Sequence, residues 1–206
     1  FAVDRTRGTM ARSYAVNASG PYGAEPTAVT YGGNVHLFSL HSEDVTGLLR
    51  VGTLKLVDNG SNLVRDTAWA NNPKILVAST SVYGLMPYFI AQGATRYLWQ
   101  AAGDANSDAG SSLYKLYADN GNTVSGFPVG SGNYLGGWFE PSLRHLNDQI
   151  FVPGAYNGVF RRESDGSGEI ASNFLSNIVY HLLQVRGGDN NRLFVAPEDK
   201  FVYQMD

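Results

Sequence analysis

The sequence predicts an all-β fold of antiparallel strands, and three observations carry that prediction. Apolar residues come in short runs rather than in long stripes with helical spacing. Gly, Asn, Asp and Ser punctuate those runs closely enough to mark turns. Gly (24) and Tyr (12) are plentiful among 206 residues while charged residues make up only 16%, which excludes a disordered chain or a coiled coil. A chain of this length forms one domain of ordinary size.

Taken in order, 1–33 is rich in small residues, Pro and Gly, and reads as an N-terminal arm preceding a domain over 34–206. Strands follow at Asn34 to Leu40 and Leu48 to Val57, the second closed by the turn residues Asp58-Asn59-Gly60-Ser61. Between Pro73 and Gln92 the apolar spacing is mixed, and Ser81 to Phe89 suits either a short helix or an extended piece interrupted by Gly84 and Pro87. Thr95 to Trp99 and Leu113 to Ala118 read as strands, each followed by a polar loop. Ser142 to Val152 reads as one alternating strand that buries Leu146, Ile150 and Val152. Arg161 to Gly168 is a charged turn, and the last strands run from Ile178 to Val185, Arg192 to Val195 and Phe201 to Tyr203. About eight strands with turns between them describe a sandwich or barrel rather than a βαβ fold. Asp58-Asn59-Gly60 and Asp119-Asn120-Gly121 are alike, but no third copy follows at a comparable interval, so no repeat is assigned.

Composition narrows the function classes. A net charge of −3 confines any nucleic-acid contact to a local patch, and the absence of Cys excludes disulfides, thiolate zinc sites and Cys nucleophiles. Apolar stretches such as Ile75-Leu76-Val77-Ala78 fall far short of the roughly 20 residues that span a bilayer, so no membrane partner is expected. The Phe1 start suits a processed or excised product.

Few residues carry recognisable chemistry. Asp104, Asn106 and Asp108 place three oxygen-bearing side chains at alternate positions, the pattern by which calcium loops surround a hard cation. The match stops there, because Gly110 comes late and Lys115 stands where a bidentate Glu belongs; a solvated turn explains the same residues. Arg5, Arg7 and Arg12 could neutralise phosphates, although with Asp4 among them solvated arm residues or contacts to a neighbouring subunit are the favoured explanation. Gly166-Ser167-Gly168-Glu169-Ile170-Ala171 satisfies a dinucleotide pattern but follows charged residues instead of an apolar strand, and reads as a tight turn. The four histidines lack metal-ligand spacing, and no nucleophile elbow occurs. Asn17-Ala18-Ser19 and Asn59-Gly60-Ser61 fit the N-glycosylation pattern. No catalytic residue and no cofactor site are expected, and the chain reads as no enzyme.

Three segments carry a resemblance. The stretch from Val82 to Tyr97, with Gly93, Arg96 and Tyr97 in place, resembles an element of picorna-like virus coat proteins. Gln149 to Asn157, through Val152, Pro153 and Asn157, is similar to the segment that closes a long strand there, and Leu193 to Tyr203 is similar to that family's last strands. Their order spans Val82 to Tyr203. The resemblance implies an eight-stranded jelly-roll sandwich with an extended N-terminal arm, at one of the major coat positions of an icosahedral shell. It implies sister coat proteins and further copies of the chain as partners, with genomic RNA on the inner face near Arg5, Arg7 and Arg12. It further implies a polyprotein cleavage product assembled in the host cytoplasm and located in the virion. Depleted charge agrees with a chain that buries its flanks against neighbours.

A second reading competes. Leu113-Tyr114-Lys115-Leu116-Tyr117-Ala118-Asp119-Asn120-Gly121-Asn122-Thr123-Val124 looks like a quinoprotein-type propeller blade, and Tyr134 and Trp138 beside Gly136-Gly137 could stack on sugar rings. This alternative implies a secreted β-sandwich or propeller-like protein of carbohydrate binding or adhesion.

Overall fold

The computed structural model describes residues 2–3, 10–12, 26–104, 111–130, 143–153, 159–172, 179–185, 192–197 and 201–205. Every regular element among them is a β-strand, and every pairing is antiparallel, as the composition and punctuation predict. A short ladder joins β1 (Ala2–Val3) to β2 (Met10–Arg12).

The first sheet holds β3 (Thr27–Tyr31), β4 (Asn34–Val45), β5 (Leu48–Asp58), β6 (Leu63–Arg65) and β7 (Lys74–Ser79). Both β6 and β7 pair with β5, so they form one edge interrupted by 66–73, and the sheet is four strands across. The second sheet repeats the plan with β8 (Val82–Gly84), β9 (Tyr88–Gln92), β10 (Thr95–Asp104), β11 (Ser111–Tyr117) and β12 (Val129–Gly130). Here β8 and β9 lie in line along β10. Leu85, Met86 and Pro87 stand opposite only Gln100 and Ala101, a bulge that carries the edge past one extra residue. The third sheet is β13 (Arg144–Leu146), β14 (Gln149–Pro153), β15 (Val159–Glu163) and β16 (Ile170–Ser172). The fourth is β17 (Val179–Val185), β18 (Arg192–Pro197) and β19 (Tyr203–Met205).

Each of these four sheets is a meander of one contiguous stretch, and the sheets pack in chain order. Alternation along β10 explains how. Leu98 joins Phe38 and Trp69 in the core between sheets one and two, whereas its neighbour Trp99 joins Ile150, Val152 and Phe160 in the core between sheets two and three. Along β14 the same switch sends Ile150 and Val152 to the second sheet and Phe151 to Leu193 and Val195 of the fourth. The middle sheets are thus apolar on both faces, which is why their strands read as near-continuous apolar runs.

This arrangement differs from the expected jelly roll in its connections. A jelly roll pairs strands through long returns to an earlier neighbour. Among the described residues no such return occurs, and nineteen strands stand where about eight were expected. The arm expected over 1–33 overlaps β3, which opens the first sheet. The single strand expected from Ser142 to Val152 is a hairpin, because Asn147 (φ 50°) and Asp148 (φ 59°) turn the chain in the left-handed region that these residues tolerate. Leu146, Ile150 and Val152 are buried as expected.

The repeat missed in the sequence is a turn. Asn59, Asn120 and Asp165 each accept, through Oδ1, the backbone N–H two residues on, with Gly60, Gly121 and Gly166 between at positive φ. These turns follow β5, β11 and β15, each the third strand across its sheet when β8 and β9 are taken as one edge.

At the β4–β5 turn Thr46 has φ 57°, an uncommon conformation for a β-branched residue, beside Gly47 at φ 83°. Thr46→Asn is therefore expected to stabilise the fold by about 1 kcal/mol, seen as a higher urea midpoint with an unchanged slope.

Candidate functional site

The strand directions divide the molecule into two ends. One end carries the tight β3–β4, β9–β10 and β13–β14 turns and the three Asx turns, while the other carries the β4–β5, β7–β8 and β10–β11 connections. Two polar constellations follow, one near each end.

Near the tight-turn end, sheets one and two enclose a charged and aromatic cluster. Lys55 lies opposite Phe38 on the face turned to the second sheet, and at 2% exposure it is as buried as the core. Its ammonium is 2.8 Å from Asp66 Oδ2, donates to the Asp119 carbonyl at 3.3 Å, and stands 5.7 Å from the centre of the Tyr31 ring. Burial alone would raise the Asp66 carboxyl, but the Lys55 hydrogen bond and charge outweigh it and hold Asp66 below the usual carboxylate range. Arg96 covers Tyr31 at 4.7 Å and reaches Asp119 at 3.3 Å. Burial first, then the Asp119 charge, pushes the Tyr31 phenol well above its ordinary range. The 66–73 segment closes the cluster. Asn72 bridges the Lys55 and Asp66 carbonyls, and Trp69 donates to the Ala118 carbonyl at 3.1 Å. A β-carbon on Gly121 would stand 2.8 Å from that indole, so glycine is required there by both space and backbone angle. Every charge in this cluster is engaged by another, and the arrangement clasps two sheets together.

The clasp recurs one sheet later. Lys115 lies opposite Trp99, stands 4.7 Å from its ring, and donates to the Ser164 carbonyl of the third sheet's turn at 2.8 Å. Burial lowers the Lys115 ammonium from its ordinary value, partly opposed by Asp165. Asp119 and Ser164 each precede the Asx residue of their turn, so both lysines grip the same point of the next sheet.

At the other end the register brings Ser79, Tyr83, Asp104 and Ser111 to the rim of the second sheet. Ser79 Oγ donates to Asp104 Oδ2 at 2.6 Å. Tyr83 and Ser111 flank Gly103, which puts no side chain between them, and their hydroxyls meet at 2.9 Å. The Asp104 carboxylate, the Ser79 hydroxyl and the half-buried Tyr83, which rests on the buried Ser111, are groups that exchange hydrogen bonds with a polyhydroxy ligand. Of the candidate metal ligands, Asp104 ends β10 at this rim, while Asn106 and Asp108 lie outside the described residues. Among the described residues no group of three or more His, Asp or Glu is placed to hold a metal. Arg5, Arg7, Tyr134 and Trp138 also lie outside them, and Arg12 ends β2. Asn59 spends its side-chain oxygen inside its own turn, accepting from Ser61 and Asn62.

Sequence reasoning missed Ser79, Tyr83 and Ser111 because only the β8–β10–β11 register assembles them. It missed Lys55 and Lys115 because a lysine in an alternating strand ordinarily marks the wet face.

No protein-family model matches the chain, and no curated protein matches it. Solved structures similar to it include two glycoside hydrolases. One is a glycoside hydrolase family 32 β-fructofuranosidase mutant of Bombyx mori in complex with sucrose, at 13% identity and a TM-score of 0.50 over 82% of this chain and 41% of that one. The other is an α-L-arabinofuranosidase of Clostridium thermocellum, at 12% identity and a TM-score of 0.40 over 86% of this chain and 83% of that one. The chain thus spans less than half of the β-fructofuranosidase, and the likeness is one of fold. The expectation that the chain is no enzyme is corrected here, because the fold it shares is one that carries a glycoside hydrolase.

Proposed function

We propose that the chain is a propeller-type carbohydrate-active protein whose sheets are blades and whose sugar-facing side is the rim holding Ser79, Tyr83, Asp104 and Ser111. The observation that carries this reading is the serial packing of four antiparallel meander sheets in chain order, the way propellers arrange their blades. The likeness in fold to a sucrose-bound hydrolase supports the ligand class. Asp104 supplies the acceptor for sugar hydroxyls and Tyr83 an aromatic body with a polar tip, while Ser79 holds the carboxylate and the buried Ser111 holds the phenol in place.

The test is calorimetric titration with sucrose and a panel of oligosaccharides, together with an assay for newly formed reducing ends. Saturable binding that weakens at least tenfold in Asp104→Asn, with the fold intact by circular dichroism, is the expected result; reducing ends show whether the bound sugar is also cleaved. Absence of binding across the panel, with the chain sedimenting instead as shell-sized particles, would overturn it in favour of a coat protein.

A further inference from the structure

We infer that the seam between the first two sheets is an acid-opened latch whose trigger is His36. Its imidazole is stacked on Tyr31 with ring centres 3.7 Å apart and planes 10° apart. One nitrogen, Nε2, lies 3.1 Å from the Tyr31 carbonyl and donates to it. The other, Nδ1, is fully buried with no hydrogen-bond partner. That arrangement suits the neutral ring alone, since a proton on Nδ1 would be sealed away without an acceptor.

Among the surrounding charges Lys55 makes the ring still less receptive, against the smaller opposing pull of Asp66 and Asp119. From β5 comes Lys55, from the 66–73 segment Asp66, from β10 Arg96, and from the turn after β11 Asp119, all gathered round the Tyr31 ring that His36 covers. Both carboxylates already face a cation, Asp66 on Lys55 and Asp119 on Arg96. An imidazolium would be a third cation against the same tyrosine. Burial first, and Lys55 second, accordingly lower the His36 pKa from its usual value. A histidine depressed in the closed state keeps the seam shut above about pH 6.5. The closed form then loses ground as pH falls from that value toward the native pKa, because the open form takes up the proton first.

The Ala70 N–H reports on the seam directly, because it crosses from the 66–73 segment to the Asn120 carbonyl at 2.8 Å. Its hydrogen exchange, followed by NMR in the whole chain between pH 7.5 and 5 and divided by the intrinsic rate, measures the opening equilibrium. Protection at Ala70 is expected to fall about tenfold per pH unit below 6.5. The fall should vanish in His36→Phe, which keeps the stack, and in His36→Gln, which keeps a donor. It should persist in His41→Gln, since His41 is the other buried histidine whose pKa burial lowers. Flat protection in the unaltered chain, or an equal slope in both His36 variants, would overturn the inference; a slope abolished by His41→Gln would move the trigger to the opposite face of β4.

Discussion

Asp66→Ala should destabilise the protein by about 3–5 kcal/mol, because it strands the Lys55 ammonium where water does not reach. The converse change should cost less. Lys55→Met puts an apolar side chain of similar length between Tyr31 and Phe38, and leaves behind Asp66, whose side chain keeps 17% exposure and partial hydration. A loss of no more than about 2 kcal/mol is expected for it. Urea denaturation of the two variants checks the order, and equal losses would show that the pair itself, rather than the burial of one charge, sets the energy. The low Asp66 pKa gives a further sign. A carboxyl held below its unfolded value stabilises the fold at neutral pH, and that stability disappears as pH falls through the folded value. In Asp66→Ala this acid limb should be absent.

The second large effect belongs to Gln100, which is wholly buried beside the β8–β9 bulge. Its amide donates to the Gly52 carbonyl at 3.2 Å and to the Leu85 carbonyl at 2.9 Å, and its oxygen accepts from the Thr53 hydroxyl. One side chain thereby ties the bulge to the first sheet. Gln100→Leu keeps the volume and abandons three polar groups, at about 1–3 kcal/mol each when buried without partners. A loss of at least about 3 kcal/mol is expected in thermal denaturation. Thr53→Val in the same chain should recover part of it, because the hydroxyl is then no longer stranded, and this non-additivity is the measurable signature of the contact.

The antiparallel strands were legible where they are long. Leu48 to Val57 and the expected strand starts at Asn34 and Thr95 agree with the structure to within a residue, because those stretches combine β-forming residues with turn chemistry at their ends. The segments β6, β8 and β12, of two or three residues, were not legible, being shorter than any periodicity can reveal. The helical alternative for Ser81 to Phe89 fails for a physical reason. Gly84 precedes and Pro87 ends a bulge whose backbone is completed by β10, a partner remote from the local pattern. The repeat escaped notice because its third copy, Asp165-Gly166-Ser167, keeps the Asx geometry while losing the Asn seen in the other two. Of the candidate site only Asp104 stood out, as the first residue of an alternating acidic run. Its partner Ser79 is contributed by a different sheet, and Tyr83 and Ser111 reach one another only across β10.

Because each sheet is one contiguous stretch, its strands can find one another before any distant part of the chain exists. Loop closure inside a sheet stays within its own stretch, the longest connections being 59–73 and 118–128, so the entropic barrier to forming each one is modest, and the slower event is the docking of one finished sheet on the next. Lys55 and Lys115 act at that docking step, since each reaches a turn that must already be formed in the following sheet. A ribosome releasing this chain would therefore set out complete hydrogen-bonded units in sequence, with each new turn closing the lock on the unit before it.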